Sequence, residues 1–166
     1  MLAVLSLGSC MGDSVALMRR AAGMVEELPR TSPVARSSIY ETAAVDVPEE
    51  FKDLKFLNAV MAVETELEPA AFSDAIHAIE AALGRRRSGI RHEPRNIDID
   101  IVAFGDCHSD DPALMLPHPE AARRRFVMEP LAEILPDYVL PGQGKAAIEI
   151  SAALASQEVS RLALQL

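Results

Sequence analysis

Leu2 to Leu7 are apolar apart from Ser6, and the turn sequence Gly8-Ser9-Cys10-Met11-Gly12 follows. A short apolar run closed by turn residues reads as a buried strand. Asp13 or Ser14 can cap the helix that comes next, to about Leu28, with Val15, Leu17, Met18, Ala21, Ala22, Val25 and Leu28 on its apolar face. Pro29 to Pro33 end it. Residues 34–42, with Ile39, Tyr40 and Thr42, suit a strand, and after an acidic, irregular stretch from Ala43 to Lys55 a long strand is predicted over 56–65. Glu68-Pro69 opens a helix in which Phe72, Ala75, Ile76, Ile79 and Leu83 recur at helical spacing, and Gly84 stops it. A basic loop, 85–95, leads to a strand over Asn96 to Phe104.

The order strand, helix, strand, strand, helix, strand is that of an α+β, ferredoxin-like βαββαβ core: an antiparallel sheet with both helices on one face. A further helix is expected from about Pro119, since proline is preorganised for a first helical position. Past Tyr138 a short strand and a last helix over about 149–164 are expected. At 166 residues, with no repeat or low-complexity tract, the chain reads as one domain, 1–166.

Composition narrows the classes. The chain is 49% hydrophobic and 25% charged, within the globular range. No stretch reaches the roughly 18 apolar residues of a membrane span, and the apolar N-terminus lacks the basic flank and cleavage site of a signal peptide. Cys10 and Cys107 form no CxxC or zinc pattern, which fits a reduced, cytoplasmic setting. A net charge of -9 argues against a nucleic-acid partner. No exposed apolar helix is evident, so a monomer is expected. Yet Arg85, Arg86, Arg87, Arg91, Arg95, Arg123, Arg124 and Arg125 are concentrated in two short runs. Such runs suit a small polyanion, or else two solvated helix ends.

The strand around Ile97-Asp98-Ile99-Asp100-Ile101 carries the most chemistry. Strand side chains alternate, so Asp98 and Asp100 share one face while the isoleucines enter the core. Their carboxylates would stand within roughly 7 Å of each other, a repulsive arrangement that a cation relieves. Mg²⁺ takes one or two carboxylates together with water and phosphate oxygens. A strand with one wet face is the plain alternative. Arg95, three residues before Asp98, adds a phosphate-binding group, and carboxylates beside arginines are the working parts of phosphoryl transfer. No Walker A loop or kinase Gly-rich loop is present. With Lys52, Lys55 and Lys145 the only lysines, arginine must neutralise the phosphate charge.

From about residue 2 to 140 the chain resembles the 6-hydroxymethyl-7,8-dihydropterin pyrophosphokinases. The resemblance rests on Leu7-Gly8-Ser9, Ser38-Ile39-Tyr40-Glu41-Thr42, Phe56-Leu57-Asn58-Ala59-Val60, Ile79-Glu80 with Gly84-Arg85, and Pro94-Arg95-Asn96-Ile97-Asp98-Ile99-Asp100-Ile101. It continues through Leu116-Pro117-His118-Pro119, Arg124-Arg125-Phe126-Val127 and Pro130-Leu131. It implies transfer of the β,γ-pyrophosphoryl group of ATP to the pterin hydroxymethyl oxygen, with release of AMP, in folate biosynthesis. Asp98 and Asp100 would hold Mg²⁺, two ions with ATP, and Arg87 and Arg95 would bind phosphate; these four are the expected catalytic residues. His77, Glu80, Ile101, His118 and Arg124 would complete the ATP site. Phe56 and Phe126 would sandwich the pterin, with Asn58, Thr42, Ala43 and His92 around it.

Some positions depart from the family pattern. Cys10 replaces an asparagine after Gly-Ser, and Ala43 a proline after Thr42. His92-Glu93 replaces an aromatic and a glycine before Pro-Arg, and Pro119 stands where an aromatic often follows Pro-His. Glu93 brings negative charge toward the triphosphate, which points to a slow enzyme. A catalytically impaired pterin- or nucleotide-binding homologue is the alternative, and a ferredoxin-like interaction domain a more distant one.

Overall fold

The computed structural model describes residues 1–43, 54–85 and 96–166. Strand β1 (Leu2–Ser9) is followed by helix α1 (Ser14–Glu26), β2 (Thr31–Arg36), β3 (Ser38–Ala43) and β4 (Lys55–Thr65). Then come α2 (Pro69–Ala82), β5 (Asp98–Phe104) and a small hairpin of β6 (Ser109–Asp111) and β7 (Leu114–Leu116). A 3-10 turn (Ala121–Arg123), α3 (Arg125–Ile134), α4 (Ala147–Ala153) and β8 (Ser160–Gln165) complete the described chain.

The main sheet runs β5-β1-β4-β3-β8, with every neighbouring pair antiparallel. β2 and β3 are two halves of one extended stretch: β2 pairs with the second half of β4 and β3 with the first. Ser37 makes the joint, its N–H donating to Val60 O and its hydroxyl accepting from Val60 N, each at 2.9 Å. Counted as one strand, that stretch gives the split βαβ order expected from the sequence, with β8 added at the edge.

The two faces of the sheet divide the labour. On one, Met18, Ala21, Ala22 and Val25 of α1 and Phe72, Ile76 and Ile79 of α2 pack on Leu5, Leu7, Met61, Ile99 and Ile101. This is the helix layer that the periodicity predicts. On the other, Val127, Met128 and Leu131 of α3 and Ala147 and Ile150 of α4 cover only Val4, Val60, Val102 and Ala103. Further along the same strands this second face turns polar, at Ser6, Asn58, Asp98 and Asp100.

The chain's end corrects the sequence reading. The short strand expected after Tyr138 is a single bridge, Val139 to Ala146. The last helix stops at Ala153 in place of about 164, and Ser160–Gln165 are the strand β8. The alternation Leu162, Leu164, Leu166 is the period-2 signal that the helical reading passed over. Pairing with β3 occupies an edge that would otherwise be bare. Arg161 then reaches Glu133 of α3 at 2.6 Å, and Glu133 also accepts from Ser38 N, Ser38 Oγ and Tyr40 Oη. Burial and this bond to Glu133 push the Tyr40 phenol well above its ordinary value.

At the opposite edge, no strand pairs with the outer side of β5 among the described residues. The Ile99 N–H donates instead to Glu80 Oε1 at 2.7 Å, a carboxylate that is 1% exposed. Helix α2 ends in a Schellman turn: Gly84, at φ +87°, donates to Ala81 O and Arg85 N to Glu80 O. The turn brings Arg85 back over its own helix, where Nη1 donates to Glu80 Oε1. Burial pushes the Glu80 carboxyl up, opposed by the Ile99 N–H and by Arg85. Glu80→Ala leaves a buried N–H without its acceptor and Arg85 without a buried counter-charge. We expect it to cost about 3 kcal/mol or more in urea unfolding, as broken buried ion pairs do. Unchanged stability would mean that β5 needs no support at this edge.

Candidate active site

The site is built on the polar half of the second face. β1 lies between β5 and β4, and the register sets Gly8 opposite Asp98 on one side and Asn58 on the other. Asn58 in turn faces Tyr40 of β3. A glycine flanked by two polar side chains leaves an open trough over the strand. In the next row Ser6 faces Asp100 and Val60.

Asp98 and Asp100 project on the same side of β5, both partly buried, while Ile97, Ile99 and Ile101 go to the opposite core. This is the alternation that the sequence predicts. The Asp100 carboxyl is pushed above its ordinary value, first by burial and then by the charge of Asp98; His118, Arg124 and Arg85 oppose the shift. Arg85 Nη1 lies 2.9 Å from Asp98 Oδ1, so one guanidinium links the buried Glu80 to the carboxylate pair.

Asp100 lines a concave pocket with Ser6, Val102, His118, Ala121, Arg124, Phe126 and Val127. His118 is fixed at the pocket by its backbone N–H, which donates to Val102 O at 2.9 Å, and its Nδ1 accepts from Glu120 N at 3.2 Å. The Arg124 guanidinium stands 5.8 Å from the centre of the Phe126 ring. The arginine run sorts itself. Arg123 faces solvent beside Glu120, Arg125 pairs with Glu129, and Arg124 alone of the three lines the pocket.

Several further candidates gather on the adjoining rows. Asn58 is buried and donates to Thr42 Oγ1 at 3.0 Å. Thr42 pairs across the strands with Phe56, and Ala43 with Lys55. Phe56 is two residues from Asn58 on β4, hence on the same face. It makes no ring contact with Phe126 among the described residues. Other candidates stand apart. Ile101 gives its side chain to the helix-side core, so only its backbone is left to meet a ligand. Glu80 is buried behind β5 as the edge support, and His77 is exposed on α2, with no contact to the pocket among the described residues. Arg87, His92 and Arg95 lie outside the described residues, as do most of the two segments flanking the site.

Sequence reasoning assigned no task to Arg85, which the structure sets against Asp98. The available signal was Gly84, because a glycine that closes a helix in a Schellman turn folds the next residue back. The groups gathered here are two carboxylates, a guanidinium, an imidazole and an aromatic ring around an open trough. Among the described residues no cluster of three or more His, Cys, Asp or Glu forms a closed metal site.

Comparison with known proteins gives the same answer throughout. Residues 4–136 match the family model for 7,8-dihydro-6-hydroxymethylpterin-pyrophosphokinase (HPPK). The 2-amino-4-hydroxy-6-hydroxymethyldihydropteridine pyrophosphokinase of Methylorubrum extorquens is 42% identical over 85% of this chain and 87% of its own length. The protein of the same name from Pseudomonas aeruginosa is 36% identical over 95% of this chain and 94% of its own. Among solved structures, an HPPK-DHPS triple mutant of Plasmodium falciparum with SDX-DHP superposes with a TM-score of 0.72 over 93% of this chain. This chain spans 44% of that protein, and at 17% identity the likeness speaks for the fold alone. Family model and full-length relatives together establish that the chain belongs to the 6-hydroxymethyl-7,8-dihydropterin pyrophosphokinase family.

Proposed function

We propose that this pyrophosphokinase moves the β,γ-pyrophosphoryl group of ATP to the hydroxymethyl oxygen of 6-hydroxymethyl-7,8-dihydropterin and that Asp98 and Asp100 hold Mg²⁺ for it. The observation that carries the reading is the carboxylate pair on one strand face beside the pocket of His118, Arg124 and Phe126. The donor set fits that ion. Two carboxylates leave coordination positions for water and phosphate, as Mg²⁺ requires. Burial raises the Asp100 carboxyl first and the charge of Asp98 second, and a shared cation would relieve that repulsion. When bound, Mg²⁺ supplies neutralisation of the triphosphate and polarises the phosphorus under attack.

In the transfer, the hydroxymethyl oxygen forms a bond to the β-phosphorus of ATP. The bond from that phosphorus to the α,β-bridging oxygen breaks, the bridging oxygen leaves on AMP, and the hydroxyl proton goes to solvent. Such a reaction needs alignment and charge neutralisation more than covalent help from the protein. Arg124 and His118 meet the nucleotide, with Arg87 and Arg95 on its phosphates. Phe126 and Phe56 take the two faces of the pterin, and Asn58, oriented by Thr42, bonds its polar edge. The enzyme works as a monomer in the cytoplasm.

The test is AMP formation from ATP and the pterin, with and without Mg²⁺. AMP is expected only when all three are present; ligand binding without AMP would make this a binding homologue. Asp98→Asn and Asp100→Asn should each lower kcat by about 10²-fold or more, and turnover like wild type in either would sink the metal assignment.

Stability should move the other way. A carboxyl raised in the folded state holds its proton where the unfolded chain has released it, so its contribution to stability falls as pH rises through that window. Asp100→Asn removes this loss. In ligand-free urea unfolding the variant should gain little over wild type near pH ~4, where the unfolded carboxyl titrates, and progressively more as pH rises above it. A gain independent of pH would show that the Asp100 charge is not the cause.

A further inference from the structure

The segment after α4 lies beyond the residues that match the family model, yet it touches the site at its most sensitive turn. Arg124 and Phe126 enter the pocket from the junction between the 3-10 turn and α3. Arg124 has an extended backbone there, φ -111° and ψ 108°, as the joint between the two: its N–H donates to Ala121 O at 3.1 Å, and its carbonyl accepts from Val127 N and Met128 N at 3.0 Å. Gln157 spans it from outside: Nε2 donates to Arg123 O at 2.8 Å, and Oε1 accepts from Arg125 N at 2.8 Å. These partners allow only one orientation of the amide, because a carbonyl needs a donor and an N–H an acceptor. The same strand of chain is gripped in return. Arg125 Nη1 donates to Ala155 O at 3.2 Å and to Gln157 O at 3.0 Å, while its Nε donates to Glu129 Oε2 at 3.1 Å.

From this pair of hydrogen bonds on either side of Arg124 we infer that Gln157 is a positioning residue, which holds the backbone around Arg124 so that the guanidinium and the Phe126 ring stand ready for nucleotide and pterin. Gln157 itself is exposed and touches neither the pocket nor the buried core. A side chain in that position adds little to global stability but fixes the direction of two proposed ligand contacts before either substrate arrives. Preorganisation of this kind acts on binding, because a loosened turn must be reordered each time a ligand enters.

The inference rests on the assignment of Arg124 and Phe126 to the substrates, and a double-mutant cycle separates the two claims. Equilibrium binding of a non-hydrolysable ATP analogue with Mg²⁺ is measured for wild type, Gln157→Ala, Arg124→Ala and the double variant, with melting temperatures alongside. Loss of two neutral hydrogen bonds predicts affinity weakened by about five- to tenfold in Gln157→Ala, with the melting temperature nearly unchanged. In the Arg124→Ala background the same substitution should add little further loss, since the group it positions is gone. Gln157→Glu, which keeps the acceptor for Arg125 N but not the donor to Arg123 O, should fall between wild type and Gln157→Ala. Wild-type affinity in Gln157→Ala while Arg124→Ala binds poorly would overturn the positioning role alone. Wild-type affinity in Arg124→Ala would overturn the site assignment and the positioning role with it. Fully additive losses, or a lowered melting temperature that tracks the affinity, would make Gln157 a structural residue only.

Discussion

The bond from the Ile99 N–H to Glu80 carries more of this structure than its single hydrogen bond suggests. Among the described residues β5 ends the sheet, so the outer N–H of Ile99 is taken up by a side chain, and the strand's alternate residues are the proposed metal ligands. Glu80 is buried to do this and needs a counter-charge; Arg85 supplies it and extends the link to Asp98. Core, edge strand and site are thereby one electrostatic chain. A carboxylate pair can be held under mutual repulsion only where the backbone beneath it does not yield, and here the fold spends a buried ion pair to keep it still.

The second face of the sheet explains why the site is where it is. Helices α3 and α4 cover the apolar end of the strands, Val4, Val60 and Val102, and stop. Beyond them Ser6, Gly8, Asn58, Asp98 and Asp100 cannot be buried under apolar helices without loss of hydration. The boundary between the apolar, helix-covered sheet and its polar continuation is therefore the rim of the pocket, and α3 begins there with Arg124 and Phe126 just at its start. β8 and the segment before it secure α3 at both ends, Gln157 near its first turn and Arg161 on Glu133 near its last.

Much of this was legible in the sequence. The alternation of Ile97, Ile99 and Ile101 with Asp98 and Asp100 fixed the two faces of β5, because strand periodicity is strictly two and the apolar set could point only one way. The helical spacing of Phe72, Ile76 and Ile79 did the same for α2. Arg124 is singled out from Arg123 and Arg125 by the family resemblance alone, since which guanidinium turns inward depends on the backbone at the helix start and not on residue type. The resemblance implies an ATP contact for Glu80, whereas its place as a buried edge support was not legible, because its partner Ile99 is 19 residues away and is contacted through its backbone. The end of the chain reads as helix because Ala and Leu are good helix formers, although they also satisfy a period of two. The bare edge of β3 decided in favour of the strand.

The most direct measurement is a crystal structure of the protein with Mn²⁺ and a non-hydrolysable ATP analogue, with anomalous scattering recorded to locate the metal. The account predicts metal density on the Asp98 and Asp100 carboxylates, with the triphosphate completing its coordination and the Arg124 guanidinium at the nucleotide. Metal bound elsewhere at saturating Mn²⁺, with Asp98 and Asp100 free of it, would contradict the claim that this strand face is the catalytic one.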